Sequence, residues 1–180
     1  MEIEIIKILQ KYRTFGCDVF FGVFSYLAGI LGFVLALFLF LYLSKKYAIK
    51  FCIYYLIIML INSLIKAFVN RPRPYQINKQ IINIIGEIGK SFPSGHMTSI
   101  TIIIVFLLCY IYRNCKSKKI KIISTIALIN FAIIVAISRM YLGQHYISDI
   151  FAGIIFAVML IIIINTINNK ICKKLFKKFM

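Results

Sequence analysis

Histidine is nearly missing from this chain: there are two, His96 and His145. Acidic side chains are almost as scarce, 5 against 22 lysines and arginines. The five cysteines, Cys17, Cys52, Cys109, Cys115 and Cys172, show no C-x-x-C spacing, so neither a disulfide framework nor a metal site is expected. A cleavable leader is not expected either, and the N-terminus is expected to be retained, because Glu2 and Glu4 replace the basic start and no short apolar region leads to a small-residue cleavage site. No internal repeat, low-complexity linker or compositional break divides the chain, which reads as one domain over residues 1–180.

What is abundant fixes the solvent. Hydrophobic residues make up 62% of the chain and the mean hydropathy is +0.93, against about 45–50% apolar residues in a soluble domain. Crossing the hydrocarbon of a bilayer as helix takes about 20 apolar residues, or slightly fewer where flanking side chains snorkel. Five stretches qualify: residues 19–43, 51–69, 97–112, 122–138 and 147–167. The expected fold class is therefore all-α, an integral membrane bundle of about five transmembrane helices. Ahead of it, residues 1–18 read either as a short interfacial helix or as a frayed tail. Ile5, Ile8, Leu9 and Tyr12 would share one helical face there, and Glu4, Lys7 and Lys11 another.

A net charge of +17 could suggest nucleic acid as partner, but its distribution excludes that reading and describes topology instead. Lys45, Lys46 and Lys50 follow the first span; Arg113, Lys116, Lys118, Lys119 and Lys121 follow the third; Lys170, Lys173, Lys174, Lys177 and Lys178 lie in the tail at 168–180. That places 13 of the 22 basic residues on one side. The positive-inside rule makes this side, and the C-terminus, cytoplasmic in a multi-pass protein of the cell membrane. The connections 71–96 and 139–146 then face outward.

Polar clusters interrupt the spans on that outer face. Lys66 ends the second span and precedes Arg71 and Arg73; Pro93-Ser94-Gly95-His96 opens the third; Ser138-Arg139 closes the fourth; His145 and Asp149 begin the fifth. All three prolines, Pro72, Pro74 and Pro93, fall in the 71–96 connection, where they oppose regular helix and predict a rigid loop. One outward pocket can hold every cluster. Lys66, Arg73 and Arg139 supply three cations suited to a compact polyanion, and arginine grips phosphate oxygens with paired hydrogen bonds. Ser94 and Gly95 add donors at a helix start, where free N–H groups point at an anion. In a helical segment, four-residue spacing puts Asp149 beside His145, able to hold one ring nitrogen protonated and leave the other as nucleophile. His96 remains as the acid for a leaving group. Clustered cations should depress both histidine pKa values.

Each basic residue alone is more simply read as a snorkelling side chain, and Arg71, Lys90 and Glu87 receive no site role. Asp149, a charge just inside a span, is by default functional or paired.

Together, Lys66, six residues, Arg73-Pro74; Pro93-Ser94-Gly95-His96; and Ser138-Arg139, five residues, His145, three residues, Asp149 resemble the three-part signature of the type 2 phosphatidic acid phosphatases. The match holds in residue type, order and spacing, between about residues 51 and 167. The resemblance implies a phosphatase that uses no metal or other cofactor and passes through a phosphohistidine. His145 would be the nucleophile, Asp149 its orienting partner and His96 the general acid; Lys66, Arg73, Ser94, Gly95 and Arg139 would bind the phosphoryl oxygens. Members usually have a six-helix core, whereas this chain is expected to have five spans and the N-terminal segment.

The implied partners are the bilayer and a lipid phosphate or diphosphate. The short chain and its N-terminal segment are similar to bacterial undecaprenyl pyrophosphate phosphatases of the bacitracin-resistance type, which favours that lipid; phosphatidylglycerophosphate and phosphatidic acid are the alternatives. A vanadate-dependent haloperoxidase would use a similar constellation but has no need of membrane burial. A non-catalytic lipid-phosphate carrier or scaffold would not require both histidines.

Overall fold

The apolar runs fold as helices, most of them opened by a hydroxyl side chain. In the computed structural model, which describes the backbone of residues 1–178 and the side chains of residues 1–169, every regular element is a helix. The tail lysines from Lys170 onward lie outside the described side chains. The order is α1 (Glu2–Lys11), α2 (Phe15–Ala28), α3 (Ile30–Leu43), α4 (Lys45–Val69), α5 (Pro74–Ile77), α6 (Gly95–Asn114), α7 (Lys118–Tyr141) and α8 (Ile147–Lys178). Thr14, Ser44, Ser94 and Ser117 cap α2, α4, α6 and α7, each accepting a hydrogen bond from the amide three residues on. This satisfies one of the donors that a helix start leaves without an internal partner.

Four segments are each long and apolar enough to cross a membrane, Lys45–Ile77, Gly95–Asn114, Lys118–Tyr141 and Ile147–Asn169. The pair α2 and α3 qualifies jointly as a fifth. That pair departs from the single straight span expected over residues 19–43: the two helices meet at Gly29 with a bend of 49°. The bend brings the Leu27 carbonyl so close to Gly32 that a Cβ there would lie 2.0 Å from its oxygen. Only glycine fits. The second span also starts earlier than its apolar run, because Ser44 caps a helix that takes in Lys45, Lys46 and Lys50, whose stems can lie along apolar surface. In the proline-rich connection, α5 is a turn of helix where none was expected. Pro74 occupies its first position, where proline has no hydrogen bond to lose.

Helix α1 is docked onto the bundle rather than frayed. Its buried side is centred on Ile6, whereas Ile8 and Tyr12 of the expected apolar face are exposed. Polar contacts set that rotation. Gln10 Nε2 donates to the carbonyls of Ile82 (2.9 Å) and Tyr141 (2.8 Å), and Ile82 N donates back to Gln10 Oε1 (2.9 Å).

Between lipid-exposed helices there is no hydrophobic driving force, so close packing and hydrogen bonds hold the bundle. At one end, Phe40 on α3, Phe51 on α4 and Phe106 on α6 form a buried aromatic cluster, with ring centroids 4.9 Å (Phe40 to Phe51) and 5.4 Å (Phe51 to Phe106) apart. At the other end the contacts become polar. Tyr55 and Ser99 hydroxyls meet at 2.8 Å, and Asn62 Nδ2 donates to Thr98 Oγ1 at 3.4 Å. Gly153 lets α8 press against the start of α6, since a Cβ there would lie 2.7 Å from the Ser94 carbonyl oxygen. This small-residue crossing carries the site.

Candidate active site

Ser94 ties the second polar cluster to the third. Its amide donates to the Asp149 carbonyl (3.0 Å), and its hydroxyl, fully buried, accepts from Met97 N (3.4 Å) as the cap of α6. Gly95 is the first residue of that helix and His96 the second. Helix α7 ends at Tyr141, and the chain turns back through Gly143, whose φ of +75° belongs to the left-handed region. Both Gln144 N and His145 N then donate to the Arg139 carbonyl, at 3.1 and 3.2 Å. Arg139 and His145 are thereby fixed together, 0% and 1% exposed. Lys66, at the end of α4, donates to the Lys90 carbonyl at 3.0 Å and lies within electrostatic range of Arg73, Arg139 and Asp149. The residues singled out in the sequence converge on one end of the bundle.

Two acidic residues organise this cluster, and neither contact is visible in the spacing. Glu87, left without a role by the sequence, joins both arginines: its Oε2 accepts from Arg73 Nη1 at 3.0 Å and from Arg139 Nη2 at 2.6 Å, while Oε1 stands 3.9 Å from His96 Nε2. Burial alone would raise its carboxyl, but Arg139, with His96 and Arg73, holds it down to about 2. Arg139 Nη1 also donates to Ser25 Oγ on α2, and Arg73 Nη1 to Gln144 Oε1. The Nε groups of both arginines are buried without a hydrogen-bond partner among the described residues.

Asp149 is fully buried and divided between partners. Its Oδ1 accepts from Arg71 Nη1 at 2.7 Å and its Oδ2 from Tyr146 N at 2.9 Å. The expected His145–Asp149 pair is present as a 3.6 Å approach of Nδ1 to Oδ2, beyond hydrogen-bonding distance, and His145 Nδ1 has no hydrogen-bond partner among the described residues. Burial, together with Arg139, Lys66 and Arg73, pushes the His145 ring well below its usual pKa, so it stands neutral. Arg71, read from sequence as a snorkelling side chain, instead bridges Asp149 to Glu2 of the N-terminal helix (3.1 Å) and lies over the Tyr146 ring at 3.9 Å. Glu2 also accepts from Ser148 N at 2.7 Å. An acidic residue in a loop between two single glycines, or near an N-terminus, gives no sequence signal of such contacts.

A cavity of about 430 Å³ opens beside His96 and Glu87, walled by Ser25 and Gly29 at the α2–α3 bend and by Tyr55 and Ser99. A Cβ at Gly29 would lie 3.2 Å from His96 Nε2, so the bend itself makes room for the ring. Among the described residues no cluster of His, Cys, Asp and Glu has the arrangement of a metal site.

The fold is thus a multi-pass helical bundle whose polar end gathers buried guanidinium groups, two histidines and two carboxylates. The chain belongs to the PAP2 superfamily, whose model matches residues 47–172. Phosphatidylglycerophosphatase B of Bacillus subtilis (strain 168) is 28% identical over 108 residues, covering 59% of this chain and 50% of that protein, so the chain spans half the length of this relative. Among solved structures, the first transmembrane PAP2-type phosphatidylglycerolphosphate phosphatase from Bacillus subtilis superposes with a TM-score of 0.79 at 21% identity, over 94% of this chain and 85% of that one. Aquifex aeolicus LpxE gives a TM-score of 0.73 at 23% identity, over 90% and 93%. At these identities the likeness establishes the fold, with its transmembrane helical arrangement.

Proposed function

We propose that this protein is a membrane lipid phosphatase that removes a terminal phosphate through a phosphohistidine, with His145 as nucleophile. The observation that carries the reading is the meeting of two buried arginines on a single anionic oxygen beside His96. A phosphoryl group offers the same kind of oxygen to the same donors. In the proposed reaction a neutral His145 nitrogen forms the bond to phosphorus while the bond to the leaving oxygen breaks, and His96 delivers a proton to that oxygen. Attack makes the His145 ring positive. Asp149, 3.6 Å from Nδ1, then faces a charge that exists only from the transition state onward, the condition under which an interaction lowers a barrier. Water, with its proton taken by His96, completes the hydrolysis and regenerates both histidines. Lys66, Arg73, Ser94, Gly95 and Arg139 hold the phosphoryl oxygens.

The lipid we assign is phosphatidylglycerophosphate, supported by what the named relatives act on; undecaprenyl diphosphate, favoured by the sequence reading, has no such support. We further propose that the site lies on the outer face and that α1 rests at that interface.

Phosphate release from detergent-purified protein in excess EDTA tests the chemistry, with phosphatidylglycerophosphate, phosphatidic acid and undecaprenyl diphosphate as substrates. His145→Ala should abolish turnover, and Arg139→Ala should lower it on the order of a hundredfold, as loss of a preorganised charge-stabilising group does. Turnover persisting in His145→Ala would remove the nucleophile assignment. A folded wild-type protein silent on all three lipids would favour the carrier reading.

A further inference from the structure

We propose that Glu87 is an intramolecular occupant of the phosphoryl site, which the substrate's terminal phosphate must displace, and that this competition excludes the phosphodiester headgroups of the surrounding bilayer. The inference rests on the reading of Arg73 and Arg139 as phosphate ligands and goes beyond it. Its starting point is position: one Glu87 oxygen lies 3.0 Å from Arg73 Nη1 and 2.6 Å from Arg139 Nη2, and the other approaches His96. A carboxylate cannot share those donors with a phosphoryl group, because the two anions would repel at contact distance. One must leave.

Glu87 is built to leave. Its side chain is 30% exposed, against 0% for that of Arg139, and it borders the cavity of about 430 Å³ beside His96. It sits between Gly86 and Gly89, whose φ values of +69° and +105° mark a loop without regular hydrogen bonding. The backbone is nevertheless pinned, since Tyr75 Oη and Asn83 Nδ2 both donate to the Glu87 carbonyl, at 2.8 and 3.0 Å. Rotation of the side chain therefore clears the site with the loop in place. A carboxyl held at about 2 stays ionised in any working buffer, so the exchange is driven by a competing anion and not by protonation.

The exchange discriminates by charge and oxygen count. A phosphodiester brings one charge and two free oxygens, the same as the carboxylate it would replace, and must also overcome the effective concentration of a tethered group, on the order of millimolar or higher. A terminal phosphate brings up to two charges and three free oxygens. It can engage both guanidinium forks, with Lys66 and the start of α6 in addition. A cationic pocket opening at a membrane surface is surrounded by phosphodiesters, and an internal carboxylate keeps them out without closing it to the substrate.

Calorimetric titration of the full-length, detergent-purified protein with inorganic phosphate and with diethyl phosphate, a soluble diester, tests this independently of turnover. Wild type should bind phosphate and show little or no affinity for the diester. Glu87→Gln, nearly isosteric, should bind phosphate at least about tenfold more tightly and acquire measurable diester binding. Circular dichroism checks that the variant is folded; should it not be, Glu87→Asp, which withdraws the carboxylate by one methylene, must still tighten phosphate binding. Unchanged or weaker phosphate affinity in the folded variants, with wild-type binding intact, overturns the role given to Glu87. Absence of phosphate binding in wild type and variants alike overturns the phosphoryl-site reading beneath it.

Discussion

Glu87 gives the protein a specific acid sensitivity. Its carboxyl titrates near 2 in the folded chain against an ordinary value of 4.5, so the unfolded chain binds the proton first as pH falls. The stability it contributes is complete above pH 4.5 and is lost between there and about 2. The difference in thermal midpoint between wild type and Glu87→Gln, followed by circular dichroism in detergent, should be widest above pH 4.5 and close toward pH 2. His145 has a lowered folded pKa as well. Its neutral form is favoured by the fold, so stability falls below the ordinary histidine range in both proteins and cancels in the difference. A gap that stays constant with pH would mean that Glu87 carries no such linkage. Arg71 belongs to the same scale: its links to Asp149 and Glu2 join residues 78 and 69 positions apart, a relation that motif spacing does not encode.

Among the elements, the crossing of α6 and α8 decides whether the site exists. Two motifs far apart in sequence meet because Gly153 has no side chain and because Ser94 N reaches the Asp149 carbonyl. Gly153→Ala would place a Cβ 2.7 Å from the Ser94 carbonyl oxygen and 3.2 Å from Thr98 Oγ1. The helices would have to part. A loss of about 1–3 kcal/mol is expected, as for an overpacked interior, together with reduced turnover as His96 and His145 separate. Gly22→Ala is the matching control, since nothing lies within 4 Å of the added carbon. Equal unfolding midpoints and activities for the two variants would show that the crossing tolerates a methyl group. The α2–α3 bend is the second decisive element. A uniformly apolar run hides it, because hydropathy reports what a helix faces and not whether it is straight.

Across the whole molecule, charge is sorted by end. Helices α4 and α7 begin with lysines and finish at the polar site, while α6 runs the other way to Arg113. Lys50 on α4 meets Asn165 on α8 (3.2 Å), and the Tyr47 hydroxyl meets the Phe106 carbonyl (3.0 Å), at the end away from the histidines. With the positive end inward, a lone Cys115 in the α6–α7 connection should resist an impermeant maleimide applied to intact cells and react after lysis. Lys79→Cys, placed in the loop 78–94 on an otherwise cysteine-free chain, should react at once. The opposite pattern would put the site on the cytoplasmic face.

Composition and the order of residues were enough for the all-helical class, the five apolar spans and the grouping of Lys66, Arg73, Ser94, Gly95, His96, Arg139, His145 and Asp149, because hydropathy and motif spacing are local properties of a chain. The bend at Gly29, the docking of α1 through Gln10 and Glu2, the division of Asp149 between Arg71 and Tyr146, and the place of Glu87 between two arginines came only with the tertiary structure. Each depends on which surfaces of distant segments meet, and on the need of a buried charge for whatever partner the packing brings to it.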